Sequence, residues 1–447
     1  MTTGSTGGTW NNWAGTVRCQ YRALHRPDSE DGILSIVNSL PPGERLKVVG
    51  AGHSCSSIAD SSDGHLLSLK AYNRVLGLDR DKLEITVQAG ITLREIAAYL
   101  SEHGLALPNL GSISDQTVAG AISTGTHGTG TKWGTLPQQV TRLTIITAAG
   151  AVLAASMNEH PDLFAAARVG LGSLGVLSTL TISCVPAFNL RAVSGQVDWR
   201  TALQSYNTWN EADHASFWWI PHTDTVRTWT AERTQDLPTP ARSRWRAWYD
   251  DHLWGNHLHE CALLGTKVVP FLIPGVNRFF QRRLFNRRTE RVDRSDRVFN
   301  FPIRIKQWVM EYAIDMEKTR KVLERLRELI EREGFRVHMP VEVRFSQPDD
   351  AWLGMAYGRP TCYIGVIMYR PFNRTVPFES YFRAVDALMA DAGGRPHWAK
   401  VHYRGPDDFR QMYPRWDDFL ALRKELDPAG VFLNRYLESI FHGREKR

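Results

Sequence analysis

Three glycine-rich stretches and a few charged side chains are where this chain could do chemistry. The first is Val48-Val49-Gly50-Ala51-Gly52-His53-Ser54-Cys55-Ser56, an apolar run that enters a loop of small residues. Such a loop can bring backbone amides close to an anion without interference from Cβ atoms. It also fits an ordinary tight turn, and it lacks the third glycine and the later acid of the dinucleotide fingerprint. The second stretch runs from Gly111 to Gly130 and includes Ser112, Asp115, Gly120, Ser123, Thr126, His127 and Gly128. Its Gly, Ser and Thr content can supply amide and hydroxyl donors to phosphates and a polar ring. The interleaved Ile113, Val118, Ala119 and Ile122 suggest a packed loop rather than a linker. The third, Gly170 to Val176 with Gly175 at its end, is a glycine-spaced turn into a strand, equally suited to a flat ligand or a close-packed backbone.

Glu342 and Arg344 stand at i and i+2 in a strand-like run, so both point to one face. By itself that pattern fits a surface ion pair as well as a functional one. Lys400 fits a solvated lysine equally well, and Tyr369 shares strand parity with Tyr363.

The elements that must position these residues are short. LKVVGAG (46–52), HLLSLKAY (65–72), LEITVQAG (83–90), QVTRLTIITAAG (139–150) and GVLSTLTISCV (175–185) read as strands ended by glycine or turn residues. TLREIAAYLSEHG (92–104) reads as a helix, with Leu93, Ile96, Ala97 and Leu100 at i, i+3, i+4 and i+7. After about Pro186 the composition shifts. FWWIP (217–221), VEVRF (341–345) and CYIGVIMYR (362–370) are strand-like, the last two as a pair, and helices are predicted over 318–333 and 379–394. The class is α+β, and 447 residues suit two domains.

Hydrophobic residues make up 43% and charged residues 23%, a globular rather than disordered balance. The net charge of +7 is local: between Arg278 and Lys306, ten basic residues face three acids. This is one basic patch, and no nucleic-acid partner is expected. Five scattered cysteines without a CxxC pair argue against a disulfide framework or a zinc site, so no metal centre is expected. No leader layout opens the chain and no apolar run approaches 18 residues. The expectation is an intracellular protein, cytoplasmic or peripherally membrane-associated. The apolar stretch Val268 to Val276 and the basic segment after it leave two readings of 268–306 open. One is a peripheral membrane contact; the other is a solvated basic loop packed on the second domain.

Taken together, GAGHS (50–54), SISDQTVAGAISTGTHGTG (112–130) and GLGSLGVLSTLTI (170–182) resemble the FAD-binding domain of the vanillyl-alcohol-oxidase type. PVEVRFS (340–346), YFRAVDALM (381–389), GGRPHWAK (393–400) and LDPAGVFLNRYL (426–437) resemble the substrate domain of the aldonolactone oxidoreductases in that group. The likeness runs from about Trp10 to the end. It implies a PCMH-type FAD domain over 1–190 and a substrate (cap) domain over 191–447 whose C-terminal tail packs back on the first. It implies FAD, bonded from a ring nitrogen of His53 to the flavin 8α-methyl group. Gly50, Ala51, Gly52 and Ser54, residues 112–128, and Gly175 with Val176 would hold the pyrophosphate and the ring. Glu342 would hydrogen-bond substrate hydroxyls, Arg344 would stabilise charge on the flavin, Lys400 would reach into the site and Tyr369 would line it. The reaction implied is oxidation of a small sugar lactone of the L-gulono-1,4-lactone type at C2. The 2-keto lactone would tautomerise to L-ascorbate, and O2 or an electron carrier would take the electrons. Another aldonolactone or an alditol is the alternative substrate.

Overall fold

A computed structural model describes residues 5–62, 64–240, 243, 245, 248–249, 254, 257–300 and 305–443. Near the start, strands Ser5–Asn11, Arg18–His25, His65–Ser68 and Leu46–Val49 form a four-stranded sheet in that order. Beside it lies a five-stranded antiparallel sheet ordered Val75–Asp79, Glu84–Gln88, Val176–Ser183, Val140–Ile146, Val152–Ser156. Each strand-like run of the first 190 residues is found as a strand. HLLSLKAY keeps strand geometry only to Ser68 and then turns through a 3-10 segment Leu69–Ala71. There the Tyr72 carbonyl turns to accept from Gly90 N–H at 2.9 Å.

The helix Leu93–Glu102 starts where the sequence says it should. Thr92 and Glu95 cap its first turn reciprocally, and Leu93, Ile96, Ala97 and Leu100 are the buried residues. These elements share one hydrophobic core with Trp398, Phe409, Trp416, Phe419, Phe432 and Leu437 from the end of the chain. The tail is held by polar bonds too. Leu46 N–H donates to Val431 O at 2.8 Å, and Asn434 Nδ2 donates to the carbonyls of Ser57, Ile58 and Asp60.

The second half is built on an eight-stranded antiparallel sheet. Its order is Thr289–Arg294, Asn189–Asp198, Thr225–Thr234, His214–Trp219, Val341–Ser346, Thr361–Tyr369, Gln307–Asp315, Arg395–Pro396. Strands 341–346 and 361–369 pair as the sequence predicts; the strand Gln307–Asp315 beside them is one the pattern did not single out. Because side chains alternate across a strand, the register sorts this sheet into two faces. Phe217, Trp219, Val343, Phe345, Ile364, Val366, Met310 and Ile314 pack under helices Thr319–Arg332 and Glu379–Asp391 in a second core. The opposite residues, Trp218, Glu342, Arg344, Tyr363 and Glu311, face the first half of the chain.

The segment from 268 is helical to about Phe285 and then enters the edge strand Thr289–Arg294. Helices His259–Val268 and Ile273–Phe280 bury Leu263, Ile273 and Phe280, yet leave Val268 82% and Phe271 71% exposed. Several arginines of the basic segment are paired locally, Arg294 with Asp296 at 2.8 Å and Arg291 and Arg297 with Asp293. Arg304 of that segment lies outside the described residues. Among the described residues, no helix is long and apolar enough to cross a membrane.

Candidate active site

An open cleft lies between the Val49–Ser54 loop, the short helix Val118–Ser123 and the 171–177 turn. Gly50, Ala51, Gly52, His53 and Ser54 line one wall, Gln116, Thr117, Gly120 and Ser123 another, and Leu171, Gly172 and Gly175 a third. The glycines are there for room. A Cβ on Gly50 would stand 2.0 Å from Thr117 Oγ1. Gly175, at φ +154°, leaves 2.4 Å between the same notional atom and Ile146 O. The N-terminal segment straps the loop, with Trp13 N–H donating to Gly52 O at 2.8 Å and Asn12 Nδ2 to Ser54 O at 2.8 Å.

His53 sits at the end of this cleft beside Trp13, ring centroids 5.7 Å apart. Its Nδ1 is buried with no hydrogen-bond partner among the described residues. Burial lowers its pKa, opposed by Asp115 and helped by Lys400, which favours the neutral ring. An uncommitted buried ring nitrogen at the mouth of a glycine-lined cleft fits FAD, including a bond from this ring.

From 340 residues further along the chain comes the turn 397–400. Cys55 N–H donates to Ala399 O at 2.6 Å and Ser56 Oγ to Trp398 O at 2.8 Å, so the His53 loop and the Lys400 turn are stitched together. Lys400 acts electrostatically on His53, Cys55, Glu311 and His397. Facing them, Arg344 Nη2 donates to Glu342 Oε1 at 2.6 Å and also to Ser112 Oγ. Trp218 Nε1 donates to the same Glu342 oxygen at 3.0 Å, leaving Oε2 with no protein hydrogen bond among the described residues. Burial alone would lower the Arg344 pKa. The Glu342 and Glu311 carboxylates outweigh it and raise the value, so the guanidinium stays charged.

The structure therefore gathers His53, Ser112, Glu342, Arg344 and Lys400 around one centre, next to the cleft that Gly50, Gly120, Ser123 and Gly175 line. Other residues singled out from the sequence do not line the cleft. Asp115 is exposed and paired with Arg94 at 2.7 Å. Thr126 is buried, and Gly128 packs against Asn109, where a Cβ would meet Oδ1 at 2.3 Å. Val176 is fully buried in the first core. Tyr369 lies about 13 Å along its strand from Gly365, between His259 and His338, whose Nε2 accepts its backbone N–H at 2.8 Å.

His127 is near the centre but not in the cleft. Its Nδ1 is 2.9 Å from Gly128 O, its Nε2 is 2.7 Å from Glu311 Oε1, and its ring stacks on Tyr363 at 3.5 Å. Both polar neighbours are acceptors, so both ring nitrogens are placed to donate. With His397 these groups offer donor atoms within 4.8 Å of one another, a set a transition metal could use. Yet Glu311 is already shared with His127, and Lys400 and Arg344 act on the same carboxylate. A dication would face both cations, so the trio reads as an ion-paired network rather than a metal centre.

Two buried charges escaped the sequence reading. Lys47 lines the cleft, with Nζ 3.2 Å from both Gly172 O and Phe432 O. Burial, only partly offset by Asp427, pulls its pKa down to about 7. Glu311 is the other. Each is a lone charge inside an apolar strand run, LKVV and WVMEYAI, and that was the signal available.

The model of the D-arabinono-1,4-lactone oxidase family matches residues 180–440, and that of an FAD binding domain matches residues 21–156. The chain is 39% identical over 445 residues to L-gulonolactone oxidase of Bos taurus, covering 99% of this chain and 100% of that one. It is 36% identical over 433 residues to L-gulono-1,4-lactone dehydrogenase of Mycobacterium tuberculosis, covering 96% and 98%. It is 32% identical over 505 residues to D-arabinono-1,4-lactone oxidase of Eremothecium gossypii, covering 95% and 93%. In fold it matches a cholesterol oxidase variant from Brevibacterium sterolicum, TM-score 0.80 at 16% identity over 98% of each chain. The chain thus belongs to the D-arabinono-1,4-lactone oxidase family, an FAD-dependent aldonolactone oxidoreductase of the L-gulonolactone oxidase type on a two-domain vanillyl-alcohol-oxidase scaffold.

Proposed function

We propose that this enzyme oxidises L-gulono-1,4-lactone at C2 to the 2-keto lactone, which tautomerises to L-ascorbate, with O2 as electron acceptor and FAD bonded covalently through His53. The observation that carries the reading is the meeting of His53 and Lys400 with the Glu342–Arg344 pair beside a glycine-lined cleft. FAD, when bound, supplies the acceptor for two electrons and one proton from the C–H bond. Arg344 would keep a fixed positive charge where negative charge develops on the flavin. Glu342 offers Oε2 to a substrate hydroxyl, its other oxygen being held by Arg344 and Trp218. Lys400 would place a second cation beside the C2 oxygen, whose proton passes to solvent as the hydride leaves. The FAD domain is taken as residues 1–190 and the substrate domain as 191–447, the boundary drawn where strand Asn189–Asp198 opens the large sheet.

An absorbance spectrum of the purified protein, anaerobic addition of lactones and then air tests the activity. L-gulono-1,4-lactone is expected to bleach the flavin band and air to restore it. Bleaching by D-arabinono-lactone alone, or no recovery in air, would replace the substrate or the acceptor respectively, the relatives carrying names of both kinds. For the covalent bond, acid-precipitated protein is expected to stay yellow and to fluoresce on a denaturing gel. A colourless pellet rules that bond out.

Peripheral membrane contact through 268–306 belongs to the same proposal. Exposed Val268, Phe271, Leu272 and Phe279 stand beside Arg278 and Arg282, which suits an interface with anionic headgroups. Sedimentation with anionic liposomes at low salt, weakening as salt rises, is the expected result. Protein left in the supernatant at every salt concentration removes the membrane from the account.

A further inference from the structure

Gly365 leaves a gap in the face of the sheet that carries the chemistry. The register sets it directly between Glu342 on one neighbouring strand and Glu311 on the other. A methyl group at Gly365 would lie 3.5 Å from Glu311 Oε2 and 3.8 Å from Glu342 Cβ. Without one, the backbone of Gly365 lies bare between the two acids, with the Glu311 carboxylate leaning over it. With strands about 4.8 Å apart and Glu311 Oε2 leaning over Gly365, the two carboxylates come within reach of hydroxyls on one small ring.

The two acids are arranged alike. Glu342 commits Oε1 to Arg344 and Trp218; Glu311 commits Oε1 to His127 Nε2 at 2.7 Å. In each, Oε2 has no protein hydrogen bond among the described residues. Burial would push a lone Glu311 carboxyl up. The charge and hydrogen bond of His127, with His397 and Lys400, overcome that and hold it well below the usual carboxylate range, so it can only accept.

We propose that Glu311 is a second specificity-determining residue: across the Gly365 gap from Glu342, its free oxygen accepts a hydroxyl of the polyhydroxylated substrate. The identity of that substrate as an aldonolactone rests on the function proposed above. A buried acceptor built to meet a hydroxyl rejects analogues that lack it, because the acceptor is then left unpaired. The site would thus read the ring from both sides.

The test uses the holoenzyme, with the flavin spectrum and melting temperature recorded for each variant. Wild type, Glu311→Gln and Gly365→Ala are assayed with L-gulono-1,4-lactone, its mono-deoxy analogues and a panel of alditols. Wild type is expected to lose about tenfold or more in kcat/KM at the hydroxyl that Glu311 reads. In Glu311→Gln that loss shrinks while discrimination at the other hydroxyls persists, KM rises about tenfold and the flavin stays bound. The double comparison isolates the pair. Gly365→Ala places its methyl at ordinary contact distance and is expected to fold, yet to raise KM by about tenfold by filling the gap. An unaltered deoxy profile in Glu311→Gln, or an unaltered KM for every ligand in Gly365→Ala, overturns the proposal and leaves Glu311 a structural tie to His127. Should Glu311→Gln fail to fold, Gly365→Ala decides alone. Wild-type protein inert to every aldonolactone overturns the lactone reading instead. The gap is then judged by whether alditols raise the melting temperature of wild type but not of Gly365→Ala.

Discussion

The two faces of the eight-stranded sheet are written in alternate letters of the same strands, and they have been put to opposite uses. Along Val341–Ser346, residues Val341, Val343 and Phe345 are fully buried under the helices Thr319–Arg332 and Glu379–Asp391. Glu342 and Arg344, between them, look the other way and meet Ser112, Trp218 and the Glu311 network. Across the strand Gln307–Asp315 the same alternation sets Met310, Tyr312 and Ile314 against Val309, Glu311 and Ala313. Apolar burial on one side supplies the rigidity that lets charges on the other be held at fixed separations without water. Parity, more than proximity, should decide what a substitution damages.

Adjacent residues give the largest contrast. Phe345→Ala is expected to cost about 3–5 kcal/mol of stability, read as a fall in denaturation midpoint, while molecules that remain folded keep their KM. Arg344→Ala is expected to do the reverse, slowing anaerobic flavin reduction by about 10²-fold or more with the flavin retained and a much smaller change in midpoint. If Arg344→Ala instead unfolds the protein and the survivors reduce flavin normally, the charged face is a structural face after all.

A pH series sharpens the same contrast at intermediate size. The Glu311 carboxyl is held below its ordinary value of 4.5 in the folded protein, burial opposing and His127 prevailing. The unfolded chain therefore takes up this proton first as pH falls. Stability from the group is complete above about pH 4.5 and drains away as acid approaches the folded pKa. The gap in melting temperature between wild type and Glu311→Gln is expected to be widest above pH 5 and to narrow below 4.5. Gln keeps the shape of Glu311 and an oxygen that can accept from His127, so the variant is expected to remain folded. A gap constant from pH 6 to pH 3 would mean that the pair carries no net charge separation.

The same alternation explains what the sequence disclosed. Glu342 and Arg344 at i and i+2 announced a shared face, and the VEVRF and CYIGVIMYR strands paired in the expected place. Parity said nothing of distance along a strand. Tyr369 shares the face of Tyr363, yet it sits by His259 and His338, far from the gap. Glycine density coincides with the cleft at Gly50, Gly120 and Gly175, whereas Gly128 packs against Asn109. The meeting of His53 with Lys400 was beyond any local pattern, since a backbone bond from Cys55 to Ala399 crosses nearly the whole chain. Glu311 went unmarked because its strand reads as an apolar run with one interruption, and only its partner His127 explains the interruption.

The smallest expected effect uses two neighbouring tryptophans. Trp219 is 1% exposed, packs tilted against Trp199 with ring centroids 4.7 Å apart and donates Nε1–H to Thr223 O at 3.1 Å, all on the apolar side. Trp218, on the other face, donates Nε1 to Glu342 Oε1 at 3.0 Å. Trp219→Phe removes ring volume and strands a carbonyl, so a loss of about 1–3 kcal/mol is expected with KM unchanged. Trp218→Phe removes one hydrogen bond from a carboxylate that still has Arg344. The carboxylate loses orientation rather than charge, and KM for the lactone is expected to rise by roughly three- to tenfold, the equivalent of one such bond. Its denaturation midpoint should stay close to wild type, because a half-buried ring remains. Measuring both quantities on both variants crosses the comparison fully. If Trp218→Phe lowers the midpoint as much as Trp219→Phe does and leaves KM alone, then Trp218 belongs to the packing of the sheet, and Glu342 is oriented by Arg344 alone.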